Sequence, residues 1–230
     1  MSAEQEAELN SDGRTSVLAT SVLVVFLLAM TVTIANVSLP QMQGSLSATR
    51  DQVAWVVTSF LVANAVGVPA TGWLTDRLGS RRLIIWGTFG FSLATLSCAL
   101  APNLELLVLS RALQGLLGAP LTPLTMALVL SMYPRRQHGL VTAIFGIGVT
   151  IGPIIAPWVG GILAEDYGWR SVFFFAMPFA TLACFAVLVF IPRDRPQRER
   201  RLDLRGCIFF SLAIACFQLM FDRGERNDWF

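Results

Sequence analysis

Seven stretches of this chain are too long and too apolar to sit in water. They run over residues of about 16–39, 53–74, 83–101, 104–131, 140–163, 171–191 and 206–221. A helix crossing the ~30 Å hydrocarbon core needs ~20 mostly apolar residues. Lipid satisfies no backbone amide, so a spanning segment must be a helix or part of a closed barrel. The runs therefore dictate an all-α integral membrane fold. A polar tail (1–15) precedes six spans (16–191), a basic linker (192–205), and a seventh span with its outer turn (206–230). The tail is acidic and lacks the basic start and small-residue cleavage site of a secretory signal, so the first run is expected to stay as span 1.

Composition excludes other classes. The chain is 54% apolar and only 14% charged, with a net charge of +2, which is too little for nucleic acid. All seventeen basic residues are arginine. Cys98, Cys184, Cys207 and Cys216 lie inside apolar runs and read as small packing residues. His138 has no partner at ligand spacing, so no metal or cofactor is expected. Neither a P-loop nor a nucleophile elbow occurs, which argues against an enzyme.

Arginine placement sets the expected orientation, because short cytoplasmic loops collect basic residues. With the N-terminus inside, twelve arginines fall in cytoplasmic segments: Arg14, Arg77, Arg81, Arg82, Arg135, Arg136, Arg193, Arg195, Arg198, Arg200, Arg201 and Arg205. Four fall outside (Arg50, Arg170, Arg223, Arg226), and Arg111 lies within span 4. The basic turn GWLTDRLGSRRL (72–83) is then a cytoplasmic hairpin between spans 2 and 3. It has an echo. GWLTDRLGSR (72–81) and GILAEDYGWR (161–170) share Gly, Leu, an acid, Gly and Arg at five of ten places. One copy follows span 2 on the inside and the other follows span 5 on the outside. Two inverted three-helix repeats, an arrangement typical of secondary transporters, would produce this.

Individual residues suggest chemistry. Gly72 would let span 2 approach a neighbour closely, and Gly79 would supply the backbone freedom of a tight reversal. Asp76 could accept amide hydrogen bonds and pair with an arginine. Arg111 is embedded in apolar sequence, where a charge costs roughly 2.5–3.5 kcal/mol at the bilayer centre on insertion scales. Either it faces a water-accessible crevice or a partner, or it snorkels to the outer interface. Gln114 shares its face. Gly148, Gly152, Ala156 and Gly160 recur every fourth residue and form a smooth packing stripe. Pro153 and Pro157 should free carbonyls and bend the helix. Asn36 and Asn64 could line a polar cavity or simply bond between helices.

Four strings resemble one family. The 72–82 hairpin is similar to the 2–3 loop of the major facilitator superfamily, with Ser80 a mild departure. RALQGLLGA (111–119) is similar to its helix-4 signature. GIGVTIGPIIAPWVGG (146–161) resembles the antiporter signature, with Ala156 standing for a Gly. TIANVSLP (33–40) resembles the helix-1 motif of fourteen-helix drug:proton antiporters of the EmrB/QacA type. The tail residues Asp222, Arg223, Gly224 and Trp229 match that subfamily too.

The resemblance implies a six-helix major-facilitator bundle of two inverted three-helix repeats plus a seventh transmembrane helix. It further implies the N-terminal half of a plasma-membrane exporter of hydrophobic or amphipathic small molecules, driven by protons through alternating access. On this reading Arg111, Gln114, Asn36, Thr31 and Asn64 serve proton coupling or line the cavity. Gly72, Asp76, Arg77, Gly79, Arg81 and Arg82 form a cytoplasmic gating loop. Gly148, Gly152, Pro153, Ala156, Pro157, Gly160 and Gly161 make the antiporter helix. The lipid bilayer and a C-terminal half would be partners, and in a Gram-negative cell a periplasmic adaptor and an outer-membrane channel. Thr31 stands where the subfamily has a membrane Asp, and a hydroxyl cannot exchange a proton near neutral pH. An uptake or facilitating carrier for a small metabolite, or a truncated half-transporter that does not transport, are the alternatives.

Overall fold

The computed structural model describes residues 3–192 and 204–223 of the chain. Every regular element among them is helical: α1 (Ala3–Val37), α2 (Leu39–Ser45), α3 (Arg50–Gly67), α4 (Thr71–Leu78), α5 (Ser80–Leu100), α6 (Leu104–Gly118), α7 (Leu121–Met132), a 3₁₀ turn (Arg135–Gln137), α8 (His138–Tyr167), α9 (Arg170–Phe190) and α10 (Leu204–Arg223). Five helical stretches are long and apolar enough to cross a bilayer, and α3 with α4 makes a sixth as a broken span. In α10 the apolar part is the shorter segment Phe209–Gln218. Residues 193–203 of the expected linker, and Gly224 and Trp229 of the outer turn, lie outside the described residues.

Three differences from the sequence reading have physical causes. The expected polar tail is helical from Ala3, continuous with span 1. Span 2 is not one rod: α3 stops at Gly67 and α4 starts at Thr71, with a bend of 58° between them. Pro69 in the break has no amide to donate, so a rung of the α-helical ladder is lost there. Span 4 is likewise divided at Ala119 and Pro120 into α6 and α7. The two breaks meet, because a Cβ built on Gly67 would come within 2.7 Å of the Ala119 Cβ. By contrast, α8 runs unbroken through Pro153 and Pro157.

Packing follows small residues. Along α8, Gly148 faces Val22, Gly152 faces Phe26 and Met30, and Gly160 faces Ile34, with Ala156 buried between them. The α1 residues in that contact also recur every fourth position, so two i±4 ridges interlock. Other extensive pairs are α3 on α6, α5 on both α6 and α9, and α1 on α9, while α10 lies along α3. One apolar core, including Leu27, Met30, Phe91, Leu107, Leu121 and Phe173, is shared by α1, α3, α5, α6, α7, α8 and α9.

Candidate functional site

The centre of the bundle holds a charge. Arg111, on α6, is 0% exposed and is among the largest fully buried side chains of the chain. Its Nε–H donates to the Val56 carbonyl of α3 at 3.0 Å, and its Nη1 donates to Gln114 Oε1 at 2.5 Å. Gln114 in turn donates through Nε2 to Thr95 Oγ1 of α5 at 2.6 Å. The guanidinium carbon lies 4.5 Å from the Phe60 ring centroid, a cation–π contact worth about 2 kcal/mol when desolvated. Beside them, Ser110 Oγ and Ser97 Oγ lie 2.7 Å apart, again joining α6 to α5. A single arginine thus pins three helices together, and among the described residues its Nη2 has no hydrogen-bond partner.

Close approach makes this possible. A Cβ built on Gly115 would fall on the Phe60 carbonyl oxygen and come within 3.1 Å of the Asn64 nitrogen. Glycine there brings α6 against the α3 backbone, and Asn64 Nδ2 donates to the Gly115 carbonyl at 3.2 Å. Asn64 therefore bonds between helices. Of the alternatives set out for Arg111, this conformation shows the one with partners, both Arg111 and Gln114 being enclosed by α3, α5 and α6 of their own bundle. Thr31 is also fully buried, its hydroxyl donating to the Leu27 carbonyl one turn back at 2.6 Å. Of the five expected coupling or cavity residues, Asn36 alone is exposed.

In the gating loop, Gly79 has φ of +84° and joins α4 directly to α5, as the reversal requires. Gly72 does not mediate close approach, for a Cβ there would meet nothing within 4 Å. The expected Asp76–arginine pair is not formed, and among the described residues Asp76 has no hydrogen-bond or ion-pair partner. The arginines are used differently. Arg77 lies over the Trp73 ring at 5.3 Å, Arg81 Nη2 donates to the Leu188 carbonyl of α9 at 3.1 Å, and Arg82 is exposed. On α8, Gly161 faces open space. Thr95, Phe60 and the Val56 carbonyl escape a sequence reading because they meet Arg111 only across helices.

The profile described as Major Facilitator Superfamily matches residues 21–225. The chain belongs to that superfamily. It is 35% identical over 209 residues to the multidrug export protein EmrB of Escherichia coli strain K12, covering 90% of this chain and 41% of that protein. The fatty acid resistance protein FarB of Neisseria gonorrhoeae is 36% identical over the same length, with the same shares covered. Among solved structures, the human organic anion transporter MFSD10 superposes with a TM-score of 0.71 at 17% identity, over 88% of this chain and 54% of that one; this likeness bears on the fold alone. The chain thus spans less than half the length of these two curated relatives. Its helices are those of a multi-pass membrane protein of a transporter superfamily, which is not a family of enzymes.

Proposed function

We propose that the chain forms the first bundle of an exporter of hydrophobic or amphipathic small molecules, driven by the proton gradient and working by alternating access. The observation that carries this reading is its 35% identity to a multidrug export protein across 90% of the chain. The geometry is consistent with it. Two broken spans meet at Gly67 and Ala119, and discontinuous helices recur in secondary transporters, where they form substrate and ion sites. The Arg111 network acts from within the bundle, holding α3, α5 and α6 in register rather than touching substrate. The 72–82 turn closes the cytoplasmic side, with the N-terminus also cytoplasmic and the protein in the plasma membrane. A second bundle supplies the other wall of the substrate site, and in a Gram-negative cell an adaptor and an outer-membrane channel would continue the path.

One observation favours a second reading, a facilitator without proton coupling: Thr31 is neutral and its hydroxyl is spent on the Leu27 carbonyl. Both are tested by accumulation of a fluorescent lipophilic dye in cells expressing the full-length gene product. The exporter reading expects low accumulation that rises when a protonophore is added. Dye levels equal to those of cells lacking the gene would remove it, and a faster approach to that same level, unchanged by the protonophore, would favour the facilitator.

A further inference from the structure

The echo between 72–81 and 161–170 is carried into three dimensions. Gly79 and Gly168 are the only glycines with positive φ among the described residues, at +84° and +80°. Their ψ values are also alike, 148° and 163°. Each caps the end of one helix with a backbone bond four residues back, at 2.8 Å to Thr75 and 3.0 Å to Ala164. The next helix follows within two residues, α5 from Ser80 and α9 from Arg170.

The arginines at the tenth place of each copy do the same work in opposite directions. Arg81, in the first turn of α5, donates to the Leu188 carbonyl in the last turn of α9. Arg170, the first residue of α9, donates through Nη2 to the Ala101 carbonyl that ends α5, at 2.7 Å. The two helices are therefore antiparallel, and each has 21 residues, roughly 32 Å at 1.5 Å per residue. That is about the thickness of a bilayer core. Each arginine reaches carbonyls that a helix end leaves without intrahelical donors, where a cation also complements the helix dipole. Arg170 is further fixed over the buried Trp169 ring at 4.4 Å, and Ser92 Oγ lies 3.4 Å from Cys184 Sγ midway along the pair.

We propose that the 161–170 turn is a second latch, the counterpart at the opposite membrane face of the 72–81 turn, with Arg170 as its positioning residue. The two arginines tie α5 and α9 end to end, so that the pair moves as one rigid plank while the broken spans α3–α4 and α6–α7 rearrange around it. The consequence for turnover rests on the exporter reading; the mechanical tie does not.

Hydrogen–deuterium exchange on the purified full-length product separates the two. Arg170→Gln should raise exchange around residues 98–105 about tenfold, the order expected for losing a hydrogen bond to a charged donor, and leave residues 186–192 unchanged. Arg81→Gln should do the reverse. Arg170→Lys, which keeps a charged donor where Gln offers only a shorter neutral amide, should restore protection at least in part. In dye efflux, Arg170→Gln should lower kcat several-fold with KM unchanged. Unchanged exchange near Ala101 in Arg170→Gln, or equal loosening at both ends, would overturn the tie. A wild-type protein that moves no dye would defeat the exporter reading and leave the exchange result to decide the tie.

Discussion

Gly115→Ala tests how closely α3 and α6 must approach. The added methyl would land on the Phe60 carbonyl oxygen and within 3.1 Å of the Asn64 nitrogen. Both are backbone atoms, so no rotamer change can relieve the clash, and α6 must retreat. Overpacking of this kind costs about 1–3 kcal/mol. Retreat also stretches the Asn64–Gly115 bond of 3.2 Å and the Arg111–Val56 bond of 3.0 Å, each worth about 0.6 kcal/mol by the average for interhelical bonds in a membrane. The total is about 2–4 kcal/mol. At roughly 2–4 °C per kcal/mol for a unit of this size, the detergent-solubilised protein should melt about 4–16 °C lower. Gly146→Ala and Gly161→Ala are the controls. Both sit inside α8, where a new Cβ meets nothing within 4 Å, and both should leave Tm unchanged or slightly raised. If Gly115→Ala melts with the controls, the helices are not held at the distance described, and the account of how Arg111 becomes enclosed fails.

Three further outcomes follow from the same geometry. Gly79→Ala forces a side chain into φ of +84° and should destabilise by roughly 1–2 kcal/mol, whereas Gly72→Ala, in open helical space, should be neutral; paired thermal melts read the contrast. Gly152→Ala presses on the Met30 nitrogen at 2.8 Å and the Phe26 carbonyl oxygen at 3.0 Å, and should lower Tm by more than Gly161→Ala. Arg111→Met leaves the buried Val56 carbonyl and Gln114 Oε1 without their donor, a loss of about 1–3 kcal/mol; Tm should fall by about 2–12 °C, and dye efflux should be lost.

What the sequence could express depended on whether a feature was local. Span positions needed only run length and hydropathy, and the reversal at Gly79 needed only a glycine at a turn. The Gly148–Gly160 stripe was legible because a four-residue repeat of small side chains marks a packing face without naming the partner. The break at Val68–Ala70 was not drawn, because hydropathy is continuous through Pro69. Which helices would enclose Arg111 was not legible for another reason. Lipid-facing and core-facing positions of a membrane helix are equally apolar, so periodicity cannot say which face of α6 meets α3. Asp76 failed similarly: proximity in sequence to Arg77, Arg81 and Arg82 suggested a pair, but these turn instead to Trp73, to Leu188 and to the exterior. Arg170 was counted only as an outside charge, though its place in the repeated string foreshadowed its partner.

Proton-driven export is tested most directly with proteoliposomes containing only the purified full-length product. An imposed pH gradient should drive lipophilic dye across the membrane against its concentration gradient, and collapsing the gradient should abolish the accumulation. Dye that equilibrates at the same rate with and without the gradient would contradict coupled export and leave a facilitator.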